Sequence, residues 1–304
     1  MKIIIDSGHD GILLRDFIRG ELGYSRAMLI RLKNKEDGIR LNGEKVTVRA
    51  RLSAGDELLL SVDDGAEDIN ESIEPVCLPL DIVFEDEYLI AVNKGALVPS
   101  HPSRHHQGDT LANALAYYFE SKKEAFVFRA ANRLDSGTSG IMLIAKNKPV
   151  SFDLARKIKE NKITKEYTAV VRGAPAPPTG EIITHIRRAP DSILLRRVCG
   201  ENDGGAYAHT VYETLFAGIN YSAVKIRLMT GRTHQIRLHF SHIGCAVAGD
   251  FLYGTEGELG LAHQALHAGF VSLEHPVTKK ELTLKCSPPE DVSGIIAMIV
   301  NGEV

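Results

Sequence analysis

The first sixty residues alternate between two hydrophobic periods. Leu13, Leu14, Phe17 and Ile18 fall at helical spacing, and Ser25 stands where it can cap a second helix carrying Met28, Leu29 and Leu32. The segment GIRLNGEKVTV then alternates every second residue on both sides of Asn42-Gly43, which predicts a two-residue hairpin. Gly55-Asp56 turns the chain into ELLLSV. A small helix–helix–hairpin unit follows from this pattern. Residues 63–74, DDGAEDINESIE, break the patterning with six acids, no base and no aromatic residue, so a domain boundary is expected there. The division is 1–62, an acidic linker over 63–77, and a second domain over 78–304.

The second domain opens with strand-like DIVF and YLIAVN around the turn Glu85-Asp86-Glu87, and Asp109 is placed to cap a helix through TLANALAYYF. FRAANRL and GIMLIAKN predict strands flanking the polar turn Asp135-Ser136-Gly137-Thr138-Ser139, and Pro149 suits the first turn of a helix through FDLARKIKEN. Alternating segments then dominate: KEYTAVVRG, EIITHI, ILLRRV, AYAHTVYETLFA, SAVKIRLMT, ALHAGFVSL and ELTLKC. Helices are expected again in THQIRLHFSHIG and PEDVSGIIAMIV. Strands outnumber helices without regular βαβ alternation, which predicts an α+β domain with a large, mostly antiparallel sheet.

Charge sharpens this picture. The net charge of −3 argues, by itself, against a nucleic-acid binder, but the average conceals blocks. Residues 12–51 hold ten Lys/Arg against five Asp/Glu, and residues 122–188 hold fourteen against six. Such blocks suit a surface facing a polyanion, or simply solvated helix faces. Hydrophobic residues make up 44% of the chain, enough for a packed core, and no apolar run reaches the length of a membrane span. The N-terminus carries an acidic residue and a glycine too early for a secretory signal. A soluble, cytoplasmic protein is expected, and its four isolated cysteines read as buried thiols.

Three constellations could carry chemistry. In ANRLDSGTSG (131–140) one carboxylate, Asp135, sits beside Arg133 in a polar turn between apolar strands; it is either a functional residue held by a rigid frame or a structural turn cap. In LMTGRTHQIRLHF (228–240), Arg232, His234 and Arg237 crowd the start of a predicted helix, as an anion grip or as a solvated basic face. Lys165-Glu166-Tyr167 opens a strand, where a tyrosine is ordinarily sheet packing. His101, His105 and His106 cluster, and His263 and His267 are four apart, but no metal-ligand motif accompanies them; no metal is expected. GTSG is not the elbow of a serine hydrolase, and no phosphate-binding glycine motif is present.

NRLDSGTSG, KEY and LMTGRTHQIRLH occur in the order and approximate spacing of the RluA-type RNA pseudouridine synthases, which the chain resembles over 78–287. AVNKG followed by His101-Pro102, HIGCAVAGDFLYG and ALHAGFVSLEHP extend the likeness, and residues 14–60 resemble an S4 RNA-binding domain. The resemblance implies isomerisation of uridine to pseudouridine without a cofactor, in structured RNA, ribosomal rather than transfer RNA, by a monomer. It implies that Asp135 is the catalytic carboxylate, that Arg237 grips it in a two-point pairing, and that Tyr167 lies on the uracil. It further implies Arg133, Lys165, Arg232, His234 and Leu266 as substrate-binding residues, with Arg133 filling the space left by a flipped nucleotide. The chain departs from the family pattern at Asn132, where histidine is usual, and at Gly95, where proline is usual. A protein that keeps the fold as a non-catalytic RNA-binding or ribosome-assembly factor is the alternative reading.

Overall fold

The computed structural model describes residues 2–22, 24, 26–61 and 73–304. The N-terminal unit comprises β1 (Lys2–Ile4), α1 (Leu14–Gly20), α2 (Arg26–Asn34), β2 (Ile39–Leu41), β3 (Glu44–Lys45) and β4 (Glu57–Leu60). Its sheet runs β1-β4-β2-β3, and Leu14, Phe17 and Ile18 of α1 pack with Leu32 of α2 and Leu58 and Leu60 of β4 in one core. The hairpin falls where expected. Asn42 and Gly43 both adopt left-handed conformations, φ 52° and 85°, as a tight β2–β3 connection requires. Strand β1 was not foreseen, and it completes the sheet by pairing with β4. The Ser25 cap and most of the acidic stretch lie outside the described residues.

The second region holds β5 (Ile82–Glu85), β6 (Leu89–Lys94), α3 (Leu111–Ser121), β7 (Ser139–Ala145), α4 (Lys148–Lys159), β8 (Thr164–Arg172), β9 (Thr179–Arg188) and β10 (Arg196–Cys199). It continues through β11 (Ala206–Ala217), β12 (Tyr221–Leu228), α5 (Gln235–His242), β13 (Leu266–Glu274), β14 (Glu281–Lys285) and α6 (Glu290–Val300). Among the described residues one mixed sheet runs β10-β9-β11-β12-β8-β13-β7-β6-β5, with β14 on β13. The β7–β13 pair is parallel and the other ladders are antiparallel, so the α+β expectation holds.

Both faces of the central strands are covered, which explains their unbroken apolar runs. Ile90, Val92, Met142 and Ile144 pack with Leu111, Leu115 and Phe119 of α3 and Ile236 and Phe240 of α5. The alternate positions Leu89, Ala91, Ile141 and Leu143 pack with Val150 and Leu154 of α4 on the other face. Period-two geometry alone assigns neighbouring residues to opposite layers. No helix among the described residues is long and apolar enough to cross a membrane.

Four local expectations are corrected. Of the four cysteines expected to be buried, Cys245 is, whereas Cys77 is exposed and Cys199 and Cys286 are half-buried. Thr110, not Asp109, caps α3: its hydroxyl accepts from Asn113 N–H while the Asn113 carboxamide reaches back to Thr110, and Asp109 instead pairs with His106 at 2.6 Å. The segment ILLRRV forms a strand only from Arg196 onward. FRAANRL is not a strand. It lies along the edge of β7, with a single bridge from Ala130 to Ile144 and backbone bonds Ala131 N to Leu143 O and Ala145 N to Arg129 O. The side chain of Asn132 then takes over as a substitute for backbone, giving Nδ2 to Ile141 O (3.1 Å) and accepting Leu143 N–H (2.8 Å).

Gly140 sets how closely β7 approaches β13. Its φ is +119°, and a Cβ there would lie 2.4 Å from Ala268 O and 2.5 Å from Ala268 N. Gly140→Ala is expected to lower unfolding stability by about 2–4 kcal/mol, from overpacking plus backbone strain. The measurement is the urea midpoint, and a midpoint indistinguishable from the parent chain would mean that the glycine does not set this spacing.

Candidate active site

Asp135 emerges from the segment along β7 and begins a tight turn that re-enters the sheet at Ser139. Thr138 N–H closes the turn on Asp135 O (3.0 Å). From one side Lys94, at the end of β6 and 1% exposed, donates to Ser136 O (2.9 Å) and to Gly95 O and Val98 O (both 2.8 Å). Burial draws Lys94 down to about 7, with Asp135 opposing. Three carbonyl acceptors match the three N–H bonds of an ammonium, so the hydrogen-bond geometry favours the charged form. From the other side Gln264, also buried, donates to Thr138 Oγ1 (3.0 Å).

Arg237 faces Asp135 from α5. Its Nη1 donates to Asp135 Oδ2 at 3.0 Å. The two-point grip expected on Asp135 is made elsewhere: Nε and Nη2 donate to the two oxygens of Asp250 at 2.6 and 2.7 Å. Asp250 is fully buried, and its Oδ1 also accepts the N–H groups of Leu252 and Tyr253. The reason for the shift is directional. A guanidinium offers its Nε edge to one carboxylate, leaving Nη1 for a second. Burial disfavours the charge on Arg237, but Asp250 and then Asp135 outweigh it and raise its pKa. The rings of Phe251 and Tyr253 lie 5.6 and 5.4 Å from the guanidinium carbon.

The segment before α5 is shaped by Gln235. Its carboxamide oxygen accepts from Thr230 Oγ1 and Arg232 N, and its nitrogen donates to His209 O and Thr210 Oγ1. The helix therefore begins at Gln235, later than the polar crowding suggests, and His234 precedes it in a left-handed conformation, φ 58°. Residues 235–240 are buried, so this is no solvated basic face. His234 Nε2 stands 3.9 Å from Asp135 Oδ2, and Nδ1 is hydrogen-bonded to the Tyr253 hydroxyl at 2.9 Å. Burial lowers the His234 pKa below its ordinary 6.5, with Asp135 opposing and Arg237 and Arg196 adding to the lowering. The ring is neutral at pH 7.

All eight residues singled out from the sequence line one cavity of about 500 Å³: Arg133, Asp135, Lys165, Tyr167, Arg232, His234, Arg237 and Leu266. Volumes of this order accommodate small organic ligands. Tyr167 is 7% exposed; burial and then the nearby Asp135 raise its pKa, so it stays a phenol. Burial also lowers the Lys165 pKa. Arg133 and Arg232 are exposed, and Arg232 Nε donates to Tyr207 O. Sequence reasoning passed over Asp250, Lys94 and Gln264. A signal existed for the first, a lone carboxylate in the otherwise apolar and glycine-rich CAVAGDFLYG. Among the described residues no group of three or more His, Cys, Asp or Glu is placed to hold a metal ion.

The cavity thus joins one carboxylate held by a buried guanidinium, a buried tyrosine and the exposed cations Arg133 and Arg232, within an α+β fold. The family model described as RNA pseudouridylate synthase matches residues 88–242. The uncharacterized RNA pseudouridine synthase YjbO of Bacillus subtilis is 36% identical over 91% of this chain and 96% of its own. The ribosomal large subunit pseudouridine synthase D of Haemophilus ducreyi is 32% identical over 90% of this chain and 86% of its own. Among solved structures, human RNA pseudouridylate synthase domain containing 1 superposes with a TM-score of 0.57 at 28% identity, covering 69% of this chain and 84% of that one. The chain belongs to the RNA pseudouridylate synthase family.

The Arg237 geometry gives two expected outcomes. Arg237→Lys keeps the charge but cannot bridge two carboxylates in a plane, so turnover should fall by at least about a hundredfold, the scale of a small misplacement of a reacting group. Asp250→Asn removes the charge that balances a buried cation and should lower stability by about 3–5 kcal/mol. Turnover assays and denaturant titrations of the two variants are the checks; a fully active Lys variant would show that the planar bridge is dispensable.

Proposed function

We propose that this chain isomerises uridine to pseudouridine in structured RNA, with ribosomal RNA preferred over transfer RNA, and that Asp135 is the carboxylate that does it. The observation that carries this reading is Asp135 held by the Arg237 guanidinium at 3.0 Å in a cavity it shares with Tyr167. The reaction breaks the bond from the sugar to N1, turns the base and forms a bond from the sugar to C5. A proton leaves C5 and N1 gains one, so no electrons are exchanged and no external energy is consumed. Breaking the first bond makes the sugar carbon electron-deficient, and an adjacent carboxylate stabilises or traps that centre, as in glycoside hydrolysis. One carboxylate suffices because the departing base is also the returning nucleophile.

The other residues follow from the same reading. Arg237, fixed by Asp250, aims Asp135. Tyr167 lies against the uracil ring, and Leu266 closes the apolar side of the cavity. A base stacked in a helix cannot reach such a cavity, so the nucleotide is flipped out and Arg133, exposed beside Asp135, fills the space it leaves. Arg232, His234 and Lys165 meet the sugar and phosphates. Residues 1–62 act as an S4-like RNA-binding unit whose basic positions track phosphates, which makes binding salt-dependent. Relatives named as ribosomal large subunit pseudouridine synthase D support ribosomal RNA as the substrate class.

Asp135→Asn tests the reading. Tritium release from RNA labelled with 5-tritiated uridine should stop, and RNA affinity should stay within about threefold, because the substitution is isosteric and affinity rests mainly on phosphate contacts. Turnover close to that of the parent chain would refute the assignment of Asp135.

A further inference from the structure

We propose that Gln264 is a positioning residue for this reaction, holding the 135–138 turn through Thr138 and Gly137 at the angle from which Asp135 meets its substrate. The inference rests on the reading of Asp135 as the reacting carboxylate. Gln264 is 1% exposed and lies two residues before Leu266, which both begins β13 and lines the cavity. Its Nε2 is 3.0 Å from Thr138 Oγ1, and Thr138 is the residue whose N–H closes the turn on Asp135 O. Its carboxamide also fills the space over Gly137: a Cβ at Gly137 would lie 2.3 Å from Oε1 and 2.9 Å from the carboxamide carbon. Glycine at 137 is therefore the condition for the amide to reach the turn.

Gln264 Oε1 is buried and has no hydrogen-bond partner among the described residues. The amide nitrogen is engaged by the Thr138 hydroxyl, and the oxygen lies over Gly137. The same short segment braces the other half of the site: a Cβ at Gly249 would lie 2.3 Å from His263 O, and Ala265 N donates to Ala248 O, next to the Gly249-Asp250 step that anchors Arg237. Residues 263–266 thus form a strut between the turn carrying Asp135 and the turn carrying Asp250. Lys94 holds the opposite side of the first turn through Ser136 O, so the turn is gripped from two sides, by Lys94 at Ser136 and by Gln264 at Thr138.

A brace of this kind acts on the rate of chemistry and not on RNA capture. The test uses the full chain and total RNA from cells lacking the gene, labelled with 5-tritiated uridine, under single-turnover conditions. Tritium release gives the rate at saturating enzyme and the enzyme concentration at half-saturation. Gln264→Met and Thr138→Val should each slow the saturating rate about tenfold or more, since small misplacements of a reacting group are costly in rate. Half-saturation should shift by less than about twofold, because the phosphate contacts that govern affinity are untouched. The double variant should be no slower than the slower single, as expected when two side chains act through one contact. Thr138→Ser keeps the hydroxyl and should restore the rate. An unchanged rate in Gln264→Met, losses that multiply in the double variant, or an effect confined to half-saturation would each overturn the proposal. Thermal melts accompany every variant; if Gln264→Met does not melt cooperatively, Gln264→Asn, which withdraws the amide by one methylene, is judged by the same criteria. Asp135→Asn is run in parallel: activity there would overturn the reading of Asp135, whereas its loss beside a normal Gln264→Met would overturn the brace alone.

Discussion

Arg237 is a cation with almost no contact with water, and a guanidinium so placed is stable only when acceptors surround it. Asp250 takes two of its N–H groups and Asp135 a third. The two carboxylates differ in what else they have. Asp250 is buried and further bonded to the backbone of its own turn, whereas the side chain of Asp135 is 28% exposed and faces the cavity. The guanidinium therefore transmits the rigidity of the interior to a carboxylate that faces the cavity. An electrostatic pair that would add little on a surface becomes a means of orientation here.

The rest of the fold serves that arrangement. The turn bearing Asp135 leads directly into β7, a central strand buried on every residue, and the turn bearing Asp250 is stitched to β8 through Ala248 N to Val170 O. The geometry of residues on loops is only as good as the frame beneath it, and here the frame is the middle of a long sheet packed on both faces. The glycines at 137, 140 and 249 have a common function: they let backbone or carboxamide approach where a Cβ would not fit. Lys94, one of the largest fully buried side chains, gathers three carbonyls into a knot beside the Asp135 turn.

The departure at Asn132 finds its explanation in the same frame. The side chain supplies the donor and acceptor that β7 lacks along that edge, so the position is structural in this protein.

The amino-acid sequence by itself determined the hairpin at Asn42-Gly43, the α+β class, and the three polar constellations, because each depends on period, turn chemistry or charge density within a short window. The seven residues singled out from those constellations line one cavity, together with Leu266, which the family resemblance adds. Tertiary structure alone decided that Arg237 grips Asp250 rather than Asp135 with its two-point edge, since the choice depends on which carboxylate lies along the Nε edge once α5 is packed. It likewise decided that FRAANRL lies beside β7 without becoming a strand, that the cap of α3 is Thr110, and that Lys94 and Gln264 are braces. A lysine after an apolar strand and a glutamine between alanine-rich segments look like surface residues in a linear reading. Only the folding of distant segments around them buries them, and burial is what turns an ordinary polar side chain into one that must be bonded, and so into one that can hold something else in place.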